Sequence, residues 1–215
     1  MLNRFKDKVH IRIKGITLQG ELTIPLKAKS VIVFPQVNSP MPYKLNEIVA
    51  DYLQQRNIGT LIVDLLTEED KFFLGNRSDI NLFTKRLDYV TKWLQEFPSG
   101  KGCHIGYFVS GSDINFALQS AADSDMVDAI VSIESRPDLT KNHIDNVNAP
   151  TLLIAGGLDK DVLHLNNRLF KKLYCVKKME TIIGAMNLSE EPETADKVAE
   201  LTATWFEKKM SPIII

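Results

Sequence analysis

A three-layer α/β architecture, with a mostly parallel sheet of about eight strands and helices on both faces, is predicted by three observations. Short, almost wholly apolar runs recur along the chain, as expected of strands covered on both sides. Between them lie segments whose apolar residues fall three or four apart, the spacing of a helix with one buried face. The first part of the chain instead alternates apolar and polar residues on either side of a glycine, which is the pattern of an edge hairpin. Alternation of apolar strands with amphipathic helices places the helices as crossovers on a parallel sheet.

The elements follow in order. Val9, Ile11 and Ile13 alternate with His10, Arg12 and Lys14; Gly15 breaks the pattern, and it resumes over 16–25, so His10 and Arg12 face outward on an edge hairpin. Residues 27–30 form a polar turn before the strand Val31, Ile32, Val33, Phe34. Residues 35–42 form a loop, and Leu45, Ile48, Val49, Tyr52 and Leu53 mark one stripe of a helix. Gly59 precedes a strand over 60–64. Residues 67–78 are an acidic loop carrying Phe72 and Phe73. Ile80, Phe83, Leu87, Val90, Leu94 and Phe97 share a face of a long helix that Pro98 and Gly100 end.

Next comes the stretch around which the rest is arranged. Residues 105–108 read as a buried strand, 109–112 as a sharp turn of small residues, and Asp113 onward as a helix. Strands over 127–133 and 151–155 follow, separated by a segment with at most a short helix. A helix over 162–173 leads into a strand over 174–183, and a last helix over 193–209 buries Val198, Leu201, Trp205 and Phe206. The whole chain, 1–215, reads as a single domain of ordinary size.

Composition narrows the function classes. Lys and Arg number 26 against 27 Asp and Glu, with no basic block, so neither nucleic acid nor an anionic membrane is an expected partner. No apolar run approaches a membrane span, and the first residues lack the apolar core of a signal peptide, so a cytoplasmic location is expected. The two cysteines, Cys103 and Cys175, fall in predicted strands and read as buried reduced thiols. No His, Cys, Asp or Glu group has metal-ligand spacing; no metal and no cofactor is expected. Ile213, Ile214 and Ile215 would be costly to leave in water, which suits either packing on the domain or a homodimer interface.

Parallel sheets bind ligands beyond the carboxyl ends of their strands. That directs attention to Gln36 and Val37, Leu65 and Leu66, residues 109–112, Glu134 and Ser135, residues 157–159, and residues 184–187. Here the order of parts resembles the α/β-hydrolase superfamily, and within it the dienelactone hydrolase-like group. The resemblance is carried by Val31-Ile32-Val33-Phe34, Asp64-Leu65-Leu66-Thr67, Gly106-Tyr107-Phe108, Arg136-Pro137-Asp138-Leu139, Ala149 through Gly157, and Glu190-Glu191-Pro192, which together span nearly the whole chain.

The resemblance implies a nucleophile at the apex of a Gly-x-Ser-x-Gly turn, then an Asp, then a His, in chain order. The corresponding five residues are Val109-Ser110-Gly111-Ser112-Asp113, so Gly111 holds the nucleophile position. Asp159 keeps the acid position, where it can orient an imidazole or simply cap the next helix. The histidine context reads Gly184-Ala185-Met186-Asn187, and Asn187 cannot take a proton near neutral pH. The oxyanion loop reads Phe34-Pro35-Gln36-Val37 in place of a His-Gly pair. Losing a nucleophile or base costs on the order of 10⁶ in turnover.

Two readings of the site follow, beside a third in which the chain is a purely structural, homodimeric subunit. In the first, the chain is a non-catalytic relative: Gly111, Asp159 and Asn187 are relic positions, and Gln36, Val37, Ser110, Gly111, Ser112, Asp159 and Asn187, with Asn38, bind a small anion or polar ligand or meet a protein partner. In the second, an esterase or lactonase uses Ser110 or Ser112 with Asp159 and a displaced histidine. Ser112 is placed to cap the helix from Asp113. Of His10, His104, His143 and His164, only His143 sits on a rim segment from which it could swing over the site. Asp113 opposes an anion, since its carboxylate would repel one at that helix end.

Overall fold

Two ten-residue strands open the chain, β1 (Arg4–Ile13) and β2 (Ile16–Pro25), joined by Lys14 and Gly15. Both turn residues have positive φ, 37° and 93°, as a two-residue hairpin turn requires, and glycine meets that demand at the steeper angle without strain. The structure, a computed structural model, describes residues 4–37, 43–72 and 79–210. The elements that follow are β3 (Ser30–Gln36), α1 (Tyr43–Gln55), β4 (Gly59–Asp64), α2 (Ile80–Glu96), β5 (His104–Ser110), α3 (Ile114–Asp123), β6 (Ala129–Ile133), β7 (Thr151–Gly156), α4 (Lys160–Lys172), β8 (Lys177–Ile182) and α5 (Ala195–Lys209). Short 3₁₀ turns at Asp70–Phe72, Gly111–Asp113, Asn142–Asn146 and Pro192–Thr194 connect them.

The sheet runs β1-β2-β4-β3-β5-β6-β7-β8. Only the β1–β2 and β2–β4 pairings are antiparallel; from β4 to β8 every pairing is parallel. Apolar side chains fill both faces. Val31, Val33, Tyr107, Val109 and Ile130 pack with α2, α3 and α4 on one side. Ile32, Phe34, Phe108, Val131 and Ile154 pack with α1 and α5 on the other. The alternation along β3 and β5 splits their residues between these two cores, which is why the runs read as continuously apolar. Among the described residues no helix is long and apolar enough to cross a membrane.

The structure adjusts several expectations. β1 begins at Arg4, before residue 9, because the outer residues Lys6, Asp7 and Lys8 still pair with β2. β6 begins at Ala129, not 127, and β8 spans only Lys177–Ile182, shorter than the 174–183 run. Both cysteines consequently lie just before strands, not within them, and are half-buried: the Cys103 thiol is 3.8 Å from the Ala28 carbonyl, and the Cys175 thiol 3.7 Å from the Thr151 hydroxyl. Partial burial pushes both thiols up from their ordinary range. Phe72 is exposed at the end of a 3₁₀ turn; Phe73 and the Ile213, Ile214, Ile215 tail lie outside the described residues.

Behind the strand ends sits a polar framework. Arg86 of α2 donates to the Leu65 carbonyl at 2.6 Å and to Asp70 at 2.7 Å. Asp70 also accepts from the backbone N–H and hydroxyl of Thr67. Burial alone would raise the Asp70 carboxyl, but the hydrogen bonds from Arg86 and Thr67 outweigh it and hold the group at about 2. On β5, the buried Tyr107 hydroxyl lies 2.7 Å from Thr91 and 3.0 Å from Ser120, and Ser120 donates to Asp88 at 2.5 Å. These bonds fasten α2 and α3 to the strand that carries the central turn.

Candidate functional site

The turn at the end of β5 is built on a backbone bend that favours glycine. β5 delivers Ser110 in extended conformation, φ −134° and ψ 154°, and Gly111 then turns to φ +54°. This is the left-handed region, which glycine enters freely and other residues at a cost of roughly 1–2 kcal/mol. A Cβ built on Gly111 would meet nothing within 4 Å, so the space a side chain would occupy there is open. Ser110 and Ser112 are exposed on either side.

Ser112 does not cap α3 through its side chain. Residues Gly111–Asp113 form a 3₁₀ turn, and α3 starts only at Ile114, with no side-chain cap from Ser110 or Asp113. The tie is made by Asn115, whose amide donates to the carbonyls of Ser112 (2.8 Å) and Arg136 (3.2 Å) and whose carbonyl accepts from the Asp138 N–H at 2.6 Å. The hydroxyls of Ser110 and Ser112 have no hydrogen-bond partner among the described residues and face solvent. Asp113, next along, has a carboxyl that burial pushes up to about 7.

One short loop gathers the other rim positions. After β6, Glu134 takes φ +50°, a left-handed conformation for a non-glycine residue, and its carboxylate accepts the Leu188 N–H at 2.9 Å. Burial raises the Glu134 carboxyl, while the Leu188 N–H opposes the shift. The Arg136 N–H donates to the Gly111 carbonyl at 2.8 Å. Its guanidinium, exposed, stands 3.8 Å from the Asp159 carboxylate. Gly111, Asp159 and the loop of Asn187 thus each meet residues 134–136.

Asp159 has two uses. One oxygen accepts the Val162 N–H at 3.0 Å as the N-cap of α4, and the other faces Arg136. Asn187 is part-buried, and its side-chain carbonyl accepts the Ser189 N–H at 3.1 Å. Glu191 accepts the N–H groups of Met186 (2.9 Å) and Asn187 (3.0 Å), so the loop is held by carboxylates from both sides. These two N–H donors lower the Glu191 carboxyl from its ordinary value.

Gln36 and Val37 go elsewhere. The alternation of β3 sends Gln36 to the α1 side, where it is buried in a polar concavity of about 300 Å³ with His10, Glu21, Glu47, Ile62 and Asp64. Val37 packs against the core on the opposite side. Asn38 lies outside the described residues. Of the imidazoles, His10 is exposed on β1, and His164 is exposed on α4. His104 stands at the N-terminal end of β5, 2.8 Å from Asp128 and a strand's length from the mouth. The His143 side chain lies outside the described residues.

Sequence reasoning missed Arg136 and Glu191 as site residues. Arg136 follows the β6 exit by three residues, and that position was a usable signal; its pairing with Asp159 across 23 residues was not. Glu191 stands in the Glu190-Glu191-Pro192 run, but its grip on the loop depends on a turn that composition does not reveal.

No family model matches the chain. Among solved structures, a dienelactone hydrolase from Anabaena variabilis superposes with a TM-score of 0.89 at 34% identity, covering 97% of this chain and 99% of that one. Est1E from Butyrivibrio proteoclasticus superposes at 0.76 with 13% identity, over 94% and 98% of the two chains. At that identity the likeness is one of fold. Among curated proteins, a Mycobacterium tuberculosis protein named "Putative phosphoribosyl transferase" is 36% identical over 202 residues, 93% of this chain and 46% of that protein. The chain therefore spans about half the length of the curated relatives it matches.

Proposed function

The chain belongs to the dienelactone hydrolase-like α/β hydrolases, and from the state of its mouth we propose that it is a member that binds a small polar or anionic ligand without performing acyl transfer. The observation that carries this reading is Gly111: the left-handed apex of the turn is retained at φ +54°, and no reactive oxygen stands on it. The neighbouring roles agree. Among the described residues Asp159 meets a helix N-terminus and Arg136, and Asn187 cannot act as a base.

What the mouth offers is recognition. Arg136 supplies an exposed guanidinium, and Ser110, Ser112 and Asn187 supply uncharged hydrogen-bonding groups. The repulsion expected from Asp113 is weakened near neutrality, because burial pushes its carboxyl up to about 7. The name of the mycobacterial relative belongs to a protein more than twice the matched length, but it makes sugar phosphates, with an anionic group for Arg136 and hydroxyls for the serines, the first ligands to try. A homodimer and a protein partner remain compatible with this role.

Two measurements test it. A fluorophosphonate probe on the wild-type chain is expected to label nothing, and ester hydrolysis is expected to stay at the blank; Gly111→Ser/Asn187→His, which places a side chain in open space, is the positive control for probe access. Labelling of wild-type Ser110 or Ser112 would end the reading. Thermal-shift titration with inorganic phosphate and ribose 5-phosphate is expected to raise Tm with concentration, as a ligand specific to the folded state must. Arg136→Ala should abolish that rise.

A further inference from the structure

The sheet has two edges, and they are finished differently. β1 presents Lys6, Asp7, Lys8, His10 and Arg12 as exposed side chains, the charged finish that discourages edge pairing. β8, at the other end, carries exposed apolar residues at both ends of the strand: Tyr174 is 79% exposed, Val176 57% and Ile183 92%. Its centre holds the charged pair Lys178 and Glu180, 2.5 Å apart on one face.

The backbone of β8 fixes which groups point away from the sheet. The Thr151 N–H donates to the Val176 carbonyl and the Gly157 N–H to the Ile182 carbonyl. Strand alternation therefore turns the even-numbered residues of β8 toward β7, and leaves the N–H and C=O groups of Lys177, Met179 and Thr181 pointing outward. An antiparallel partner needs residues with outward groups set opposite each other. A twofold axis through Met179 satisfies this: Met179 faces itself, and Lys177 faces Thr181.

The same register settles the side chains. Lys178 falls opposite Glu180 of the second copy, and Glu180 opposite its Lys178, making two opposite-charge cross-strand pairs. Val176 falls opposite the half-buried Ile182, and Ile183 opposite the half-buried Cys175, so each of these two exposed side chains gains an apolar neighbour from the other copy. Shifting the axis by one residue, to Lys178 or Glu180, still sets outward groups opposite each other but brings lysine against lysine or glutamate against glutamate; shifting it by two, to Lys177 or Thr181, loses the charge pairing. We propose that a second copy of this chain adds to the outer edge of β8 in this register, continuing the sheet antiparallel from one subunit into the next.

The test is the oligomeric state of the full chain and its response to charge. Sedimentation equilibrium is expected to show a dimer at twice 24.3 kDa. Glu180→Lys sets lysine against lysine at both pairs and should weaken the dimer by about tenfold or more; Lys178→Glu should do the same with glutamates. The double variant Lys178→Glu/Glu180→Lys restores opposite charges and should return the dissociation constant to within about threefold of wild type. Circular dichroism and Tm identify any variant that fails to fold. Independently, Met179→Cys in a Cys103→Ala/Cys175→Ala background should form an intersubunit disulfide on mild oxidation, since a hydrogen-bonded antiparallel pair brings Cα atoms to about 5.5 Å. A monomer at all concentrations, a dimer indifferent to the single charge reversals, or a dimer that Met179→Cys does not cross-link would each overturn the proposal.

Discussion

The mouth at the end of β5 and the polar framework behind it draw on the same residue types and treat them in opposite ways. In the framework, hydroxyls and charges are bonded to one another: Arg86 to Asp70 and the Leu65 carbonyl, Tyr107 to Thr91 and Ser120, Ser120 to Asp88. At the mouth, the hydroxyls of Ser110 and Ser112 are exposed and unengaged among the described residues, and the Arg136 guanidinium faces water at 3.8 Å from Asp159. A buried polar group without a partner costs about 1–3 kcal/mol, so the framework has to be closed. A mouth open to water is under no such demand. Its open valences are what a ligand can use, while the framework's are already spent on holding the turn in place.

The comparison can be broken most forcefully at Arg86. Arg86→Met removes the one cationic partner described for a carboxylate that is nearly buried, and urea unfolding is expected to show a loss of about 3–5 kcal/mol with the transition moved to lower denaturant. Because the Asp70 carboxyl is lowered to about 2, its contribution is present above the ordinary carboxylate range and fades as pH falls toward 2; the variant, which keeps only the Thr67 bonds, should show a smaller dependence. Tyr107→Phe, which leaves Thr91 and Ser120 short of a partner, should cost about 1–2 kcal/mol by the same measurement.

Smaller effects sharpen the other side. Asp113→Asn removes a carboxyl raised to about 7, for which the sign is the reverse of Asp70. The folded state prefers the proton, so the stabilisation is complete below the unfolded carboxylate value near 4 and declines as pH rises to about 7. The variant should flatten the stability profile between those limits and be more stable than wild type at pH 8. Binding of inorganic phosphate should be tighter at pH 6 than at pH 8 in the wild type, and this difference should shrink in Asp113→Asn. Ser110→Ala and Ser112→Ala should change stability by no more than about 0.5 kcal/mol while weakening the phosphate-induced rise in Tm. A large stability loss from either serine would place it in the framework and erase the distinction.

Much of this was legible in the chain. The apolar runs located β3 to β7, since a strand buried on both faces is largely apolar, while the mostly polar β8 was located less closely. The small-residue turn after residue 108 located the apex at Gly111, and its positive φ is the reason a glycine is at ease there. Asp159 as a helix cap was also within reach, because capping is a matter of three residues along the chain. The capping assigned to Ser112 failed on the same logic: a 3₁₀ turn intervened, and Asn115, three residues on, took the task through contacts to a loop 21 residues away.

The sequence by itself determined the order of strands and helices, the bend at Gly111 and the absence of a reactive oxygen on it, because each depends on residues close together in the chain. Only the tertiary structure decided that Arg136 meets Asp159, that Glu134 and Glu191 hold the loop of Asn187, and that Gln36 turns to the far side of the sheet. Those outcomes depend on which strand lies beside which and on the phase in which each residue leaves its strand. A one-residue change in that phase sends a side chain to the opposite face, and no local pattern of residue types encodes the crossing.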